Sequence, residues 1–356
     1  MMNNTVRVSL KALVLCAIVA AVMLAAGCGS GSKSTLASNS PNPSASPTPG
    51  AAPSPTPAPG PSPTPAPSPT PTPGPSPSPS PTPVPSPTPS PTPGTQRGKV
   101  VVVLEENHSY PSVIGSSSQM PYLNGLAAQY GLATQYYADT HPSIGNYFML
   151  TAGQIITNDD SYSSTVSADN IVRHLLTGGK TWKSYAESIP SVGYTGGDSG
   201  SYVRHHNPFS YFSDVVNSSV QKMNLVPFTQ FATDLNANQL PDFSFVIPNL
   251  DNDAHNGTLA QADTWLNTNI APLIANAQFQ QNGLLIIVFD EGDASDGAHG
   301  GGHIAMVAIG PAVKHGFQST TLYQHENLLK TVANYLGIDA NIGNAAGAAA
   351  MSDLIP

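Results

Sequence analysis

Six apolar residues in succession, Leu284 to Phe289, constrain this chain more than any other stretch. A run this short and this rich in branched side chains, opening after Gly283, predicts a strand buried on both faces of a parallel sheet. Asp290 and Glu291 follow at once. A glycine-rich turn then carries Asp293, Asp296, His299 and His303. Open α/β sheets bind ligands at the carboxyl ends of their strands. Acids and imidazoles gathered there suit a hard or borderline divalent cation, which binds through oxygen and nitrogen.

The pattern occurs twice more. Lys99–Leu104 predicts a buried strand that ends in Glu105-Glu106-Asn107-His108. Phe243–Ile247 predicts another, running through Pro248 and Asn249 into Asp251-Asn252-Asp253-Ala254-His255. If these strands are parallel neighbours, their acids and histidines converge on one edge of the sheet. Isolated, each cluster reads equally well as a solvated loop; together they favour a metal site. Ile304–Ile309 predicts a fourth strand. Helices are expected over 120–130, 143–153, 170–176, 182–188, 259–275 (interrupted at Pro272) and 326–336. The alternation predicts an α/β fold, a mainly parallel central sheet with helices on both faces.

The N-terminus reads as a targeting segment. Arg7 and Lys11 precede an apolar stretch from Ala12 to Ala26, followed by Gly27 and Cys28. Basic, apolar and small-residue regions in that order describe a secretory signal. The cysteine after small residues resembles the lipobox of bacterial lipoproteins. The resemblance implies a signal peptide over 1–27, acylation of Cys28 and an exported, membrane-anchored protein. Residues 28–95 form a linker of Pro-Ser-Pro and Pro-Thr-Pro units; Pro41 to Pro93 holds 25 of the 36 prolines. Such a segment lacks the large apolar side chains for a core. As polyproline II, at about 3.1 Å per residue, it spans on the order of 160 Å.

From residue 96 to 356 the composition is that of one folded catalytic domain. All 21 acids lie here against nine Lys and Arg, a formal charge of −12 with His neutral. That surface repels nucleic acid backbone, so no nucleic acid partner is expected. The chain's two cysteines, Cys16 and Cys28, fall in the signal and at its end. Any metal must therefore be held without thiolate, by His, Asp, Glu, Asn or Ser.

A nucleophile is sought in Thr140-His141-Pro142-Ser143-Ile144-Gly145-Asn146-Tyr147. Pro142 stops a preceding helix and places Ser143 in the first turn of the next. Free N–H groups and partial positive charge there suit a phosphate. A helix cap, worth about 1 kcal/mol, explains a serine at this position equally simply. Serine also needs a base or a metal to become a nucleophile at neutral pH.

These segments resemble the phosphoesterase family of bacterial acid phosphatases and phospholipases C, within the alkaline phosphatase superfamily. The resemblance rests on Glu-Asn after the first strand, His-Pro-Ser-x-x-Asn-Tyr, Asn-Asp-x-His after Pro-Asn, and Asp-Glu followed by Gly-Gly-His-Ile. Arg204-His205-His206-Asn207-Pro208-Phe209 and Tyr323-x-His325-x-Asn327-Leu328-Leu329-Lys330 are similar to its acid phosphatase branch. It implies Ser143 as nucleophile, forming a transient phosphoserine. It implies Glu106, Asn107, Asp290 and Glu291 around a divalent metal ion, and Asp251, His255 and His303 as a further ligand set. It implies Asn146 and His206 as contacts to the substrate phosphate. Asp253 competes with Asp251, and His299 with His303; one metal or two are both compatible. The sulfatase branch fits poorly, because Ser143 is followed by Ile144 and Gly145 rather than Pro and Arg at its spacing.

The reading is a metal-dependent phosphoric ester hydrolase, most simply an acid phosphatase acting on small phosphate esters. The alternatives are a phospholipase C or other phosphodiesterase on the same core, and a non-catalytic surface binding module. One consequence is testable at the N-terminus. Cys28→Ser should move the protein from the membrane to the soluble fraction of fractionated cells; continued membrane attachment would count against the lipobox.

Overall fold

A computed structural model of the chain describes Gly60, residues 98–115 and residues 117–356. The signal segment, Cys28 and the body of the proline-rich linker lie outside the described residues. Eight strands follow in chain order: β1 Val100–Glu105, β2 Gly131–Ala133, β3 Trp182–Ala186, β4 Leu225–Pro227, β5 Phe243–Ile247, β6 Leu284–Phe289, β7 Met306–Ile309 and β8 Phe317–Ser319. They form one sheet in the order β4-β3-β5-β1-β6-β7-β2-β8. β7 runs against both its neighbours, β6 and β2; every other pair is parallel.

β5, β1 and β6 are adjacent, parallel and nearly in register. Val100 lies opposite Phe243 on one side and Leu284 on the other. Every residue of the three is buried. Because successive side chains point to opposite faces, burial at each position means that both faces are covered. On one face Val102, Phe243 and Phe245 meet Leu150, Leu328, Leu329 and Val332. Those partners come from the helices Ser143–Ala152 and His325–Leu336, which pack together.

The helix Ser143–Ala152 is buried at all ten positions. It ends at Gly153 with φ 65°, a left-handed cap whose N–H reaches the Met149 carbonyl at 3.0 Å. Two expectations needed correction. Residues 182–188, read as a helix, contain strand β3. Its polar members obscured it: Ser184 Oγ donates to Asn207 at 3.0 Å, and Lys183 pairs with Asp234 at 2.5 Å. The stretch 259–275 is two helices, Leu259–Asn269 and Ala271–Ala275. Pro272 sits in the first turn of the second, where its missing N–H has no intrahelical partner to lose.

Ile286 sits mid-sheet, fully buried between Val102 of β1 and Ala308 of β7. Ile286→Ala should lower unfolding stability by about 2–5 kcal/mol, read by urea denaturation. A loss well below that range would contradict the central place of β6.

Candidate active site

Three loops leave the carboxyl ends of β1, β6 and β5 and are stitched together by main-chain bonds. Asp290 N–H donates to the Glu105 carbonyl at 2.9 Å, continuing the β1–β6 ladder one step past the sheet. Glu106 N–H donates to the Asp253 carbonyl at 2.8 Å. Asn107 then adopts φ 57°, a left-handed conformation that asparagine tolerates better than most residues. Its N–H bonds to Asp290 Oδ1 at 3.2 Å, and Glu291 N–H reaches the same oxygen at 2.6 Å. Glu106, Asp253, Asp290 and Glu291 are all buried.

Ser143 opens its helix against this cluster. Its Oγ is 3.3 Å from Glu106 Oε2 and 3.5 Å from Glu291 Oε1. Pro142, not Ser143, holds the cap position, and the partners of the Ser143 hydroxyl are the two carboxylates. The capping role is thereby excluded in favour of contact with the acids. Tyr147, one turn on along the same face, donates its hydroxyl to Glu106 Oε1 and stacks on His206 with ring centres 5.0 Å apart. His206, fully buried in a short 3-10 turn, places Nε2 3.4 Å from Glu106 and Nδ1 3.6 Å from Asp253. Burial, with His205 and His255 nearby, lowers its pKa well below the usual value, so the ring is neutral.

The electrostatics are those of carboxyl groups crowded together out of water. Burial raises all four carboxyl pKa values: Glu106 well above its normal range, Asp290 to about 6, Asp253 to about 8 and Glu291 to about 9. Among the described residues their ionic partners are the histidines His141 and His206, not Lys or Arg. Glu106, His206 and Asp253 each offer a donor atom within 4.8 Å of the others. Asn107 Oδ1, Asp253 Oδ2, Asp290 Oδ2 and His206 Nε2 are buried without a hydrogen-bond partner. Orphaned buried acceptors and a neutral imidazole, with no thiolate, fit an oxygen- and nitrogen-bound divalent ion.

Several expected residues lie apart from the cluster. Asp251 is exposed and accepts from Ser201 Oγ at 2.8 Å, while Asp253 faces inward. His255 is exposed, bonded to the Asn256 side chain, with its ring 6.0 Å from that of His206. His303 points elsewhere: Nε2 meets the Thr134 carbonyl at 3.0 Å, and its ring stacks with Tyr110 and Tyr137. His299 packs on Tyr137 as well. Asn146 is already fully engaged. Its Oδ1 accepts from the N–H groups of Asp139 and Thr140, and Nδ2 donates to the Thr140 carbonyl and Glu291 Oε2. It shapes the turn before Ser143 and steadies Glu291. Two further members carry no role in the sequence reading, Tyr147 and His141. His141 Nδ1 lies 3.1 Å from Glu291 Oε2, and Nε2 lies 2.9 Å from the Asp296 carbonyl. Their signal was positional, four residues after Ser143 and two before it.

Residues 115–339 match the Phosphoesterase family. The chain belongs to the Phosphoesterase family. This phosphoesterase is 37% identical over 257 residues to the phosphatidylinositol-3-phosphatase of Mycobacterium tuberculosis, covering 72% of its own length and 82% of that protein. It is 32% identical over 240 residues to a probable acid phosphatase of Kluyveromyces lactis, covering 65% of its own length but only 56% of the relative. Among solved structures it is similar to an alkaline phosphatase superfamily protein from Vibrio parahaemolyticus, with a TM-score of 0.50, 15% identity and coverage of 71% and 70%. It is also similar to the PsFucS1 sulfatase of Pseudoalteromonas, with a TM-score of 0.50, 11% identity and coverage of 73% and 72%. These structural likenesses establish the fold. The family match and the phosphatase relatives make the chain a hydrolase of phosphoric esters, which sets aside the non-catalytic binding module.

The raised carboxyl pKa values carry a signed prediction. An unfolded carboxyl group titrates near about 4, whereas Asp253 and Glu291 titrate near about 8 and 9 in the fold. Between those limits the unfolded chain has released protons that the native protein still holds, so stability falls as pH rises. Chelator-treated protein should therefore lose melting temperature steadily from pH 5 to pH 9, as estimated from these shifts, and added divalent metal should restore it. A flat metal-free profile would mean that the fold does not raise these carboxyl pKa values.

Proposed function

We propose that this phosphoesterase is a divalent-metal-dependent phosphomonoesterase of the acid phosphatase type, acting through a phosphoserine at Ser143. The observation that carries the reading is Ser143 Oγ lying within 3.5 Å of both Glu106 and Glu291 at a buried helix start. Glu106, His206 and Asp253, with Asn107, Asp290 and Glu291 beside them, are the residues to hold the metal. When bound, the ion supplies positive charge that stabilises the serine alkoxide and the phosphoryl oxygens.

The chain's own groups do the rest. In their ionised form, Glu106 Oε2 and Glu291 Oε1 are the acceptors for the Ser143 proton as Oγ attacks phosphorus. His141 lies beside Glu291 to share that proton. The leaving oxygen departs in line opposite Oγ and takes up that proton to go as the alcohol; water then attacks phosphorus, gives its proton to the same carboxylates, and Ser143 Oγ departs and is re-protonated by them. The first helix N–H groups beyond Ser143 are already engaged, Ile144 with Asp160 Oδ1 at 3.1 Å and Gly145 with the Pro142 carbonyl at 3.4 Å, which ties the Asp159–Asp160 loop to the site.

The substrates favoured are small phosphate monoesters. The name of the Mycobacterium tuberculosis relative adds inositol lipid monoesters to those worth trying. A Cys28 lipid anchor on a proline-rich spacer, proposed from the sequence, would suit an exported enzyme working near a membrane.

Hydrolysis of a chromogenic phosphate monoester should require divalent metal, exceed that of the matching diester, and stop with chelator. Ser143→Ala should reduce turnover on the order of a thousandfold or more at unchanged circular dichroism. Faster diester cleavage would favour a phosphodiesterase; wild-type turnover in Ser143→Ala would remove the phosphoserine.

A further inference from the structure

The Asp290–Glu291 peptide is where the sheet stops and the chemistry starts. β6 ends at Phe289, so the Asp290 carbonyl lies beyond the ladder. One side chain satisfies it: His325, whose Nε2 is 2.7 Å away. A carbonyl can only accept, so Nε2 carries the hydrogen and Nδ1 must be an acceptor. Tyr136 fills that role, its hydroxyl 3.1 Å from Nδ1. His325 and Tyr136 are both fully buried, which holds the chain Tyr136 O–H, His325, Asp290 C=O in one arrangement.

His325 is itself anchored. It is the first residue of the helix His325–Leu336, whose start is closed by reciprocal bonds between Gln324 and Asn327. Its N–H also donates to Asp139 Oδ2 at 3.3 Å. A peptide unit is rigid, so its C=O and N–H turn together. The N–H on the far side of this peptide belongs to Glu291 and bonds Asp290 Oδ1. Releasing the carbonyl would let the plane rotate, break that bond and swing both carboxylates.

We propose that His325 is a positioning residue, steadied by Tyr136, that fixes the Asp290–Glu291 peptide so that both carboxylates stay aimed into the site. This rests on the role given to Asp290 and Glu291 under the proposed function. His325 itself touches no reacting group.

The test compares wild type, Ser143→Ala, His325→Phe, His325→Gln and Tyr136→Phe by steady-state hydrolysis of a phosphate monoester, thermal melting, and calorimetric titration with Mn2+ alone. His325→Phe fills the volume but donates nothing. It should lower kcat about ten- to a hundredfold, or weaken Mn2+ binding by a similar factor, with KM changed by less than about threefold. His325→Gln keeps an amide donor and should recover most of the loss. A kcat and Mn2+ affinity within about twofold of wild type in His325→Phe, or a His325→Gln variant no better than His325→Phe, would overturn the proposal. If His325→Phe does not fold, Tyr136→Phe decides. Its kcat should fall several-fold at unchanged melting temperature, and an unchanged kcat overturns the proposal. Inactive wild-type protein would defeat the proposed function itself. Active wild type, dead Ser143→Ala and normal His325→Phe would defeat this inference alone.

Discussion

The site depends on the parallel register of three strands. β5, β1 and β6 begin level and lie side by side, so their carboxyl ends finish on one edge. Two main-chain bonds then extend the order past the sheet, Asp290 N–H to Glu105 and Glu106 N–H to Asp253. Without them Glu106, Asp253, Asp290 and Glu291 would sit on three independent loops and repel one another into solvent. With them the acids are held together and buried. A buried cluster of acids is tolerated when its members keep their protons or when counter-charge is provided. The sheet that assembles the acids thus also builds a buried cluster of donor atoms that a cation would fit.

Once the acids are fixed, their neighbours have defined tasks. The helix from Ser143 approaches with its hydroxyl toward Glu106 and Glu291, while Tyr147 on the same face fills the other side of Glu106. Asn146 closes the preceding turn and bonds Glu291. His206 enters from the opposite flank, on a 3-10 turn packed against the same helix. Ser143 is therefore surrounded by groups placed by four separate stretches of chain, all resting on one sheet edge.

Much of this was legible in the sequence, for physical reasons. Buried parallel strands must be apolar on both faces, so VVVVL, FSFVI and LLIIVF stood out, and the acids after them marked the edge. β3 was hidden because its interior is polar and internally bonded, with Ser184 to Asn207 and Lys183 to Asp234. The choice between Asp251 and Asp253 could not be read from spacing, since both lie in one short loop. The fold turns Asp253 inward beside His206 and leaves Asp251 to Ser201. His303, which follows three glycines, was implied by the family resemblance, yet aromatic stacking with Tyr110 and Tyr137 claims its ring. Glycine-rich flanks signal close backbone approach and do not say which side chain faces the metal.

The reversal of β7 has an effect of another kind. Because β7 runs back along β6, the segment from Asp290 to Ile304 leaves and re-enters the sheet at the same edge. It is pinned from below by glycines: a Cβ on Gly300 or Gly301 would fall 2.1 Å or 2.4 Å from the carbonyl oxygens of Asp139 and Thr140. A loop closed on itself in this way can change length without altering the strand order or the register of its two strands. Within the loop Asp293 and Asp296 are tied to Ser109, and Asp296 also to His141 and the His303 N–H, so the part of the site rim where descendants of this fold are freest to vary is the exposed tip at Ala294 and Ser295, not the roots at Asp290-Glu291 and the Gly300–Gly302 seat. Natural diversity in what such enzymes accept should concentrate in that narrow window.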